Sequence, residues 1–216
     1  MVEIRFVHFK EPSLAVFAHS DNPFPSPEEY LANERVSQVK SEYVNGHIYA
    51  MAGSSPEHSA ITVNVTVALG SQLIDEPCQA YSSDMKVGTS HSSIFAYPDL
   101  SVVCGEPSFH DEQRDVLNNP KVIIEVLSPS TEAFDRGKKF ARYQLLESLT
   151  DYILIAQDEP RVDHYEKQAD DEWLLHIAHG LDAKIHIASI NCDLTLAQVY
   201  NKVPVTSRGA PHAPLD

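Results

Sequence analysis

The sequence has few cysteines, little basic charge and no long apolar run. Its three cysteines, Cys78, Cys104 and Cys192, lie far apart and show no C-x-x-C spacing. That pattern argues against a disulfide framework or a zinc site and suits a reducing cytoplasm. No apolar stretch approaches the length of a bilayer-spanning helix. The opening segment MVEIRFVHFKEPSLAVFAHS lacks a basic region followed by an unbroken apolar segment, so no signal peptide is expected. Lysine and arginine total 16 against 31 aspartates and glutamates, a formal net charge of -15. A surplus of that sign argues against a broad nucleic-acid-binding surface, leaves room for a local basic cleft and is compatible with cation binding. H-E-x-x-H, G-x-S-x-G and phosphate-loop motifs are absent. Zinc-protease, serine-hydrolase and nucleotide-binding readings therefore get little support.

What is present suits one globular domain with a sizeable core: 216 residues, 43% hydrophobic and 22% charged. A single domain is expected over residues 1–203, with an N-terminal extension to about residue 25 and a flexible, proline-rich tail over 204–216. Ser26, Pro27 and Glu29 form a capping-box start with proline at the first helical position. Asn45-Gly46 between two short strand patterns is a two-residue hairpin signal. A second helix is expected after Ser55-Pro56, with Ile61, Val65, Ala68 and Leu69 at helical spacing. Strands follow near 78–87, 97–104, 121–127 and 152–156, with a helix at about 132–147. RVDHYEK and EWLLHIA alternate as a terminal hairpin does.

The chemistry starts from Glu125. Val122, Ile123 and Ile124 run into it, and Val126 and Leu127 follow, so a carboxylate interrupts a strand buried on both faces. An ionised carboxylate in an apolar layer costs several kcal/mol unless it is paired, protonated or bound to a cation. Either it is a satisfied structural acid or it has a partner. Asp99, directly after Pro98, opens another apolar strand pattern. Two acids on adjacent strands would offer hard oxygen ligands of the kind that suit Mg²⁺ or Mn²⁺. On the following helix, at about 100° per residue, Lys139 falls in the arc of Phe140, Tyr143 and Leu146, and Lys138 falls outside it. Lys139 then snorkels to solvent, pairs with Asp135 four residues back, or brings an ammonium to the two acids. Arg136, Lys138, Lys139 and Arg142 make the dense basic cluster of the sequence, either a solvated face or an approach for a phosphate backbone. His58, in the first turn of the second helix, reads as a structural histidine.

Two acids and a lysine of this kind resemble the site of the PD-(D/E)XK nuclease superfamily, with Pro98-Asp99 as its PD and Glu125-Val126-Leu127 as its (D/E)XK strand. Leu127 stands where that pattern has lysine, and Lys139 would supply the ammonium from the helix. The segments EYLANE, SEYVNGHIYAMAGSSPEHSAI, YPDLSVVC, NPKVIIEVLSPSTEAFDRGKKFARYQLLESLTDYILIAQ and LTLAQVY resemble the Uma-two family of restriction-type endonucleases, from about residue 26 to 203. The resemblance implies a restriction-endonuclease-like three-layer α/β/α fold with a central mixed sheet. It implies Asp99, Glu125, Lys139 and Glu42 as catalytic positions, with Asp99 and Glu125 holding Mg²⁺ or Mn²⁺. It further implies phosphodiester hydrolysis of nucleic acid, with DNA the expected substrate, and a homodimer. Two other classes stay open: a non-catalytic binding or assembly module on the same fold, which the -15 charge and Leu127 favour, and a hydrolase of a small phosphate compound.

Overall fold

The computed structural model describes residues 24–51, 53–89, 93–169 and 171–205. Most of the expected N-terminal extension, and the tail beyond residue 205, lie outside the described residues. Helix α1 (Pro27–Glu34) leads into β1 (Ser41–Val44) and β2 (His47–Ala50), then the long helix α2 (Pro56–Gln72). Next come β3 (Cys78–Ser82), β4 (Lys86–Gly88), β5 (Ile94–Ala96), β6 (Leu100–Cys104), β7 (Val116–Leu117) and β8 (Val122–Leu127). The crossover consists of α3 (Glu132–Phe134), a π-helical turn (Asp135–Lys139) and α4 (Phe140–Tyr143). Strands β9 (Asp151–Ala156), β10 (Arg161–Lys167), β11 (Trp173–His179), β12 (Lys184–Ile187) and β13 (Cys192–Thr195) and helix α5 (Leu196–Val199) complete the chain.

Local chemistry accounts for the entries. Ser26 accepts from the Glu29 amide while the Glu29 carboxylate takes the Ser26 amide, so α1 starts at a closed capping box. Ser55 caps α2 by accepting from the His58 amide. Asn45 and Gly46 both adopt positive φ, 50° and 86°, as a two-residue turn matched to strand twist requires.

A mixed six-stranded sheet, β11-β10-β9-β8-β6-β3, forms the centre. Its one parallel pair is β8 with β9, and the helical crossover between them is what a parallel pair needs. A five-stranded sheet, β2-β1-β5-β4-β7, and the β12-β13 hairpin complete the β-structure. Side chains of β8 alternate between two cores. Ile124 and Val126 pack with Ile61, Val65 and Leu69 of α2 and with Leu194, Leu196 and Val199. Ile123 and Leu127 pack with Tyr143, Leu146, Tyr152 and Leu154, under Val44, Val87 and Ile94 of the smaller sheet. Each buried Ile or Leu contributes about 1.5–3 kcal/mol. Helices lie on both faces of the central sheet, the three-layer α/β/α order expected of a restriction-endonuclease-like fold.

Several expected elements are divided. The 78–87 strand is two strands in different sheets, because a turn closed by the Met85 amide on the Ser82 carbonyl separates them. The strand expected from 97 starts at Leu100, since Pro98 has no donor and the Tyr97 amide goes to a carboxylate. The 132–147 helix stops at Tyr143 and contains the π-turn. The β10–β11 hairpin is followed by β12, β13 and α5. Cys78 and Cys104 form a disulfide, against the expectation from their spacing. They are directly opposed at the end of the β3–β6 ladder, a proximity that a sequence separation of 26 conceals. Cys192 is free and buried. Among the described residues, no helix is long and apolar enough to cross a membrane.

Candidate active site

Glu125 sits on the face of β8 between Ile123 and Leu127 and is 4% exposed. The helical crossover brings Lys139, also 4% exposed, onto that face. The Lys139 ammonium lies 2.8 Å from Glu125 Oε1, 3.0 Å from Glu42 Oε1 and 3.4 Å from Asp135 Oδ1. Lys138 points outward, its Nζ 3.5 Å from the Tyr49 hydroxyl. The inward phase of Lys139 expected from the sequence is thus observed, although the segment is not a regular α-helix. The π-turn admits an extra residue, and Asp135 and Lys139 both face the sheet. Such turns recur at functional sites. The Tyr152 hydroxyl donates to the Asp135 carbonyl at its start.

Each acid is held in place by the fold. Glu42 is on β1, and its Oε1 accepts the Tyr97 amide at 3.0 Å. Asp99 immediately precedes β6, next to the Leu100–Ile124 register pair. Its Oδ2 accepts the Val126 amide at 2.7 Å, ending the ladder between β6 and β8 with a side chain. His58 Nε2 lies 3.3 Å from the same oxygen. The Tyr143 hydroxyl is a long 3.4 Å from Glu125 Oε1.

The electrostatics follow from burial and an unequal charge count. Burial pushes the Glu125 carboxyl well above the usual carboxylate range; Lys139 opposes that, and Asp135, Asp99 and Glu42 add to it. Burial likewise raises Asp135, with Lys139 opposing. Burial alone would lower Lys139, yet Glu125 and Glu42, helped by Tyr143 and Asp135, hold it well above the usual lysine range. Burial also opposes a charged His58, and its hydrogen bond and charge interaction with Asp99 outweigh it, so the imidazole is raised. Lys139 therefore stays cationic among more carboxylates than it can neutralise.

The donor set is one a hard dication accepts: carboxylate oxygens with surplus negative charge. Among the described residues, no three His, Cys, Asp or Glu side chains are grouped to hold a metal ion.

The sequence points to Asp99, Glu125, Lys139 and Glu42 as one neighbourhood; in the structure Glu125 and Glu42 meet on the Lys139 ammonium, while Asp99, at the adjacent strand end, contacts the Val126 amide and His58. In the sequence Asp135 is only one possible partner of Lys139, and His58 reads as structural. The four-residue spacing to Lys139 is the signal for Asp135. For His58, the signal is its place in the first turn of α2, but only the tertiary fold sets that turn beside Asp99. The basic cluster does not form one face. Arg136 is tied to Glu132 and Asp163, Lys139 is buried among acids, and Lys138 is exposed.

Two proteins of Synechocystis, both described as uncharacterized, are similar to this chain. One, sll1609, is 37% identical over 160 residues, 74% of this chain and 90% of its own length. The other, slr1290, is 36% identical over 188 residues, 86% of this chain and 97% of its own. A solved structure from Anabaena variabilis, described as a putative nuclease belonging to DUF820, shares the fold with a TM-score of 0.70 at 19% identity. The match covers 83% of this chain and 99% of that one. The model of the Uma2 family, described as "Putative restriction endonuclease", matches residues 27–198, and the chain belongs to that family.

Proposed function

We propose that the protein is a metal-dependent nuclease that hydrolyses phosphodiester bonds of nucleic acid, DNA in the first instance. The observation that carries this is the Lys139 ammonium 2.8 Å from buried Glu125, with Asp99 at the adjacent strand end. Asp99 and Glu125 are the residues that would hold Mg²⁺ or Mn²⁺, which supplies Lewis acidity for the scissile phosphate and for an attacking water. Lys139 holds positive charge where the phosphate gains negative charge in the transition state. Glu42 and Asp135 fix the Lys139 ammonium by ion pairs, and the Tyr97 amide fixes Glu42 in turn. The Val126 amide and His58 hold one oxygen of Asp99, which leaves its other oxygen for a ligand.

The test is cleavage of single- and double-stranded DNA and RNA by purified protein with Mg²⁺, Mn²⁺ or EDTA. Metal-dependent cleavage that Glu125→Gln abolishes is expected. No turnover of any nucleic acid or phosphodiester would favour the non-catalytic module, the reading that the -15 charge and the divided basic cluster support. Turnover of small phosphodiesters alone would favour the small-substrate hydrolase.

A further inference from the structure

The central sheet carries a second group of ionisable side chains, on the face turned away from Glu125. The pairing of β8, β9, β10 and β11 sets Ile124, Ile153, His164 and His176 in one cross-strand row. Ile124 and Ile153 belong to the core under α2, and the row runs on into two histidines at the β10–β11 edge of the sheet. Both line a cleft of about 330 Å³, with Lys184 and His186 of β12 on its other side. His164 is 3% exposed. Its Nε2 lies 2.7 Å from Asp151 Oδ1, and the Thr150 and Ser189 hydroxyls donate to Asp151 Oδ2. Burial opposes the charge on Asp151, but the hydrogen bonds from His164, Ser189 and Thr150 outweigh it and hold the carboxyl below its usual range. An ionised carboxylate only accepts, so a neutral His164 carries its proton on Nε2 and its lone pair on Nδ1. Among the described residues no hydrogen bond reaches that Nδ1, and the ring lines the cleft. His176 repeats the arrangement, its Nε2 3.3 Å from Glu166 Oε2. A carboxylate on one ring nitrogen, with the other left free, is how metal-binding histidines are oriented.

We infer that His164 and His176 bind a divalent ion of the zinc, nickel and copper class in this cleft. Charge selects a cation. Asp151 faces His164, Glu166 faces His176, and Asp193 faces both His186 and Lys184, the one ammonium in the lining. With neutral imidazoles the carboxylates are in surplus, which turns away a phosphate or carboxylate ligand. The free lone pairs are on nitrogen, which favours ions that take imidazole over Mg²⁺ and Ca²⁺. The two ring centroids are 6.1 Å apart. An ion bonded to a ring nitrogen at about 2.0–2.1 Å stands about 3 Å from that ring's centroid, so one ion reaches both rings without parting the strands. Among the described residues no third ligand is grouped with them. Water therefore completes the coordination, and affinity falls below that of a four-ligand structural zinc. The ion ties edge strand β11 to β10 through side chains. The inference is independent of the catalytic reading.

Isothermal titration of the full, metal-stripped chain with Zn²⁺ tests it, on wild type and on Glu125→Gln, which removes the central acid of the other site. Both should bind Zn²⁺ alike, and excess Mg²⁺ should not displace it. His164→Gln, whose amide can still donate to Asp151, and His176→Gln should each weaken binding by at least roughly 10-fold, since loss of an outer-shell partner alone costs that much. His179→Gln, at an exposed position of the same strand, should leave binding unchanged. Zn²⁺ should raise the melting temperature of wild type and of His179→Gln, and not that of His176→Gln. Should His164→Gln lose the native circular dichroism spectrum, His176→Gln, at a half-exposed position, decides alone. A wild type that binds no Zn²⁺ overturns the proposal. So does binding that His176→Gln leaves intact, which means chelation by other histidines. Binding lost in Glu125→Gln, or displaced by Mg²⁺, places the ion at the carboxylate site and overturns it too.

Discussion

Lys139 is outnumbered. Glu42, Glu125 and Asp135 all lie within ion-pair distance of it, so removing its charge leaves buried carboxylates with no cation. Lys139→Met should therefore lower metal-free stability by about 3–5 kcal/mol, the usual cost of breaking a buried ion pair, and adding Glu125→Gln should recover part of it. Thermal denaturation of the single and double variants checks this. Cleavage by Lys139→Met, measured well below its melting temperature, should fall roughly 10²–10³-fold. Lys138→Met, at an exposed position, should cost little, and mainly at low salt. Equal losses from the two would mean that Lys139 does no specific work in the site. A pH effect follows from Glu125. Folding raises its carboxyl, so the folded state binds the proton more tightly than the unfolded chain does. Its contribution is full below the unfolded carboxylate range and is lost as pH rises through the higher folded value. Metal-free wild type should lose stability relative to Glu125→Gln across that rise. Mg²⁺ at 100 times its dissociation constant should restore about 2.7 kcal/mol to wild type and nothing to Glu125→Gln.

Two glycines separate backbone need from tolerance at the level of single elements. Gly46 turns the β1–β2 hairpin at φ +86°, and a Cβ there would stand 3.0 Å from the Phe24 Cβ. Gly46→Ala should cost at least the roughly 1–2 kcal/mol of a left-handed residue. Gly137, in the π-turn, has no positive φ, and a Cβ added there would meet nothing within 4 Å. Gly137→Ala should stabilise by about 0.4–1 kcal/mol, through fewer unfolded conformations. Opposite shifts in melting temperature are expected. A destabilised Gly137→Ala would show that the turn needs glycine for its geometry. The π-turn also explains why helical periodicity locates Lys139 yet misjudges the element. Residues four apart share a face in either geometry, but the extra residue and the early end at Tyr143 are set by packing under the two sheets.

Over the whole molecule, the Cys78–Cys104 bridge ties edge strand β3 to β6 and closes a loop of sequence separation 26. Chain-entropy reasoning gives it about 3.5 kcal/mol. Thermal melts with and without a phosphine reductant should differ by several degrees or more, at roughly 2–4 °C per kcal/mol for a chain of this size. Cys104→Ala should abolish the difference. An unchanged melting temperature on confirmed reduction would mean that β3 is held by its ladder alone. The bridge lies on the strand that follows Asp99, so the same comparison of cleavage activity reports whether β6 needs the tie to keep Asp99 in place.

The elements whose causes are local were legible in the sequence: the capping box at Ser26, the Asn45-Gly46 turn, the inward face of α2 and the buried strand around Glu125. Their signals are periodicity, capping and turn chemistry within a few residues. The inward phase of Lys139 belonged to the same class. Family resemblance, more than pattern, singled out Glu42, because a carboxylate on a short strand looks the same whether it faces solvent or a lysine. Only the tertiary structure decided the rest. The disulfide needed β3 to align with β6. The partnership of His58 with Asp99 needed the first turn of α2 to reach the neighbouring ends of β6 and β8. The gathering of Glu42, Asp135 and Glu125 on Lys139 needed β1, the crossover and β8 to converge. Those contacts join residues far apart in the chain, and their energies depend on burial and mutual distance, which no local pattern encodes.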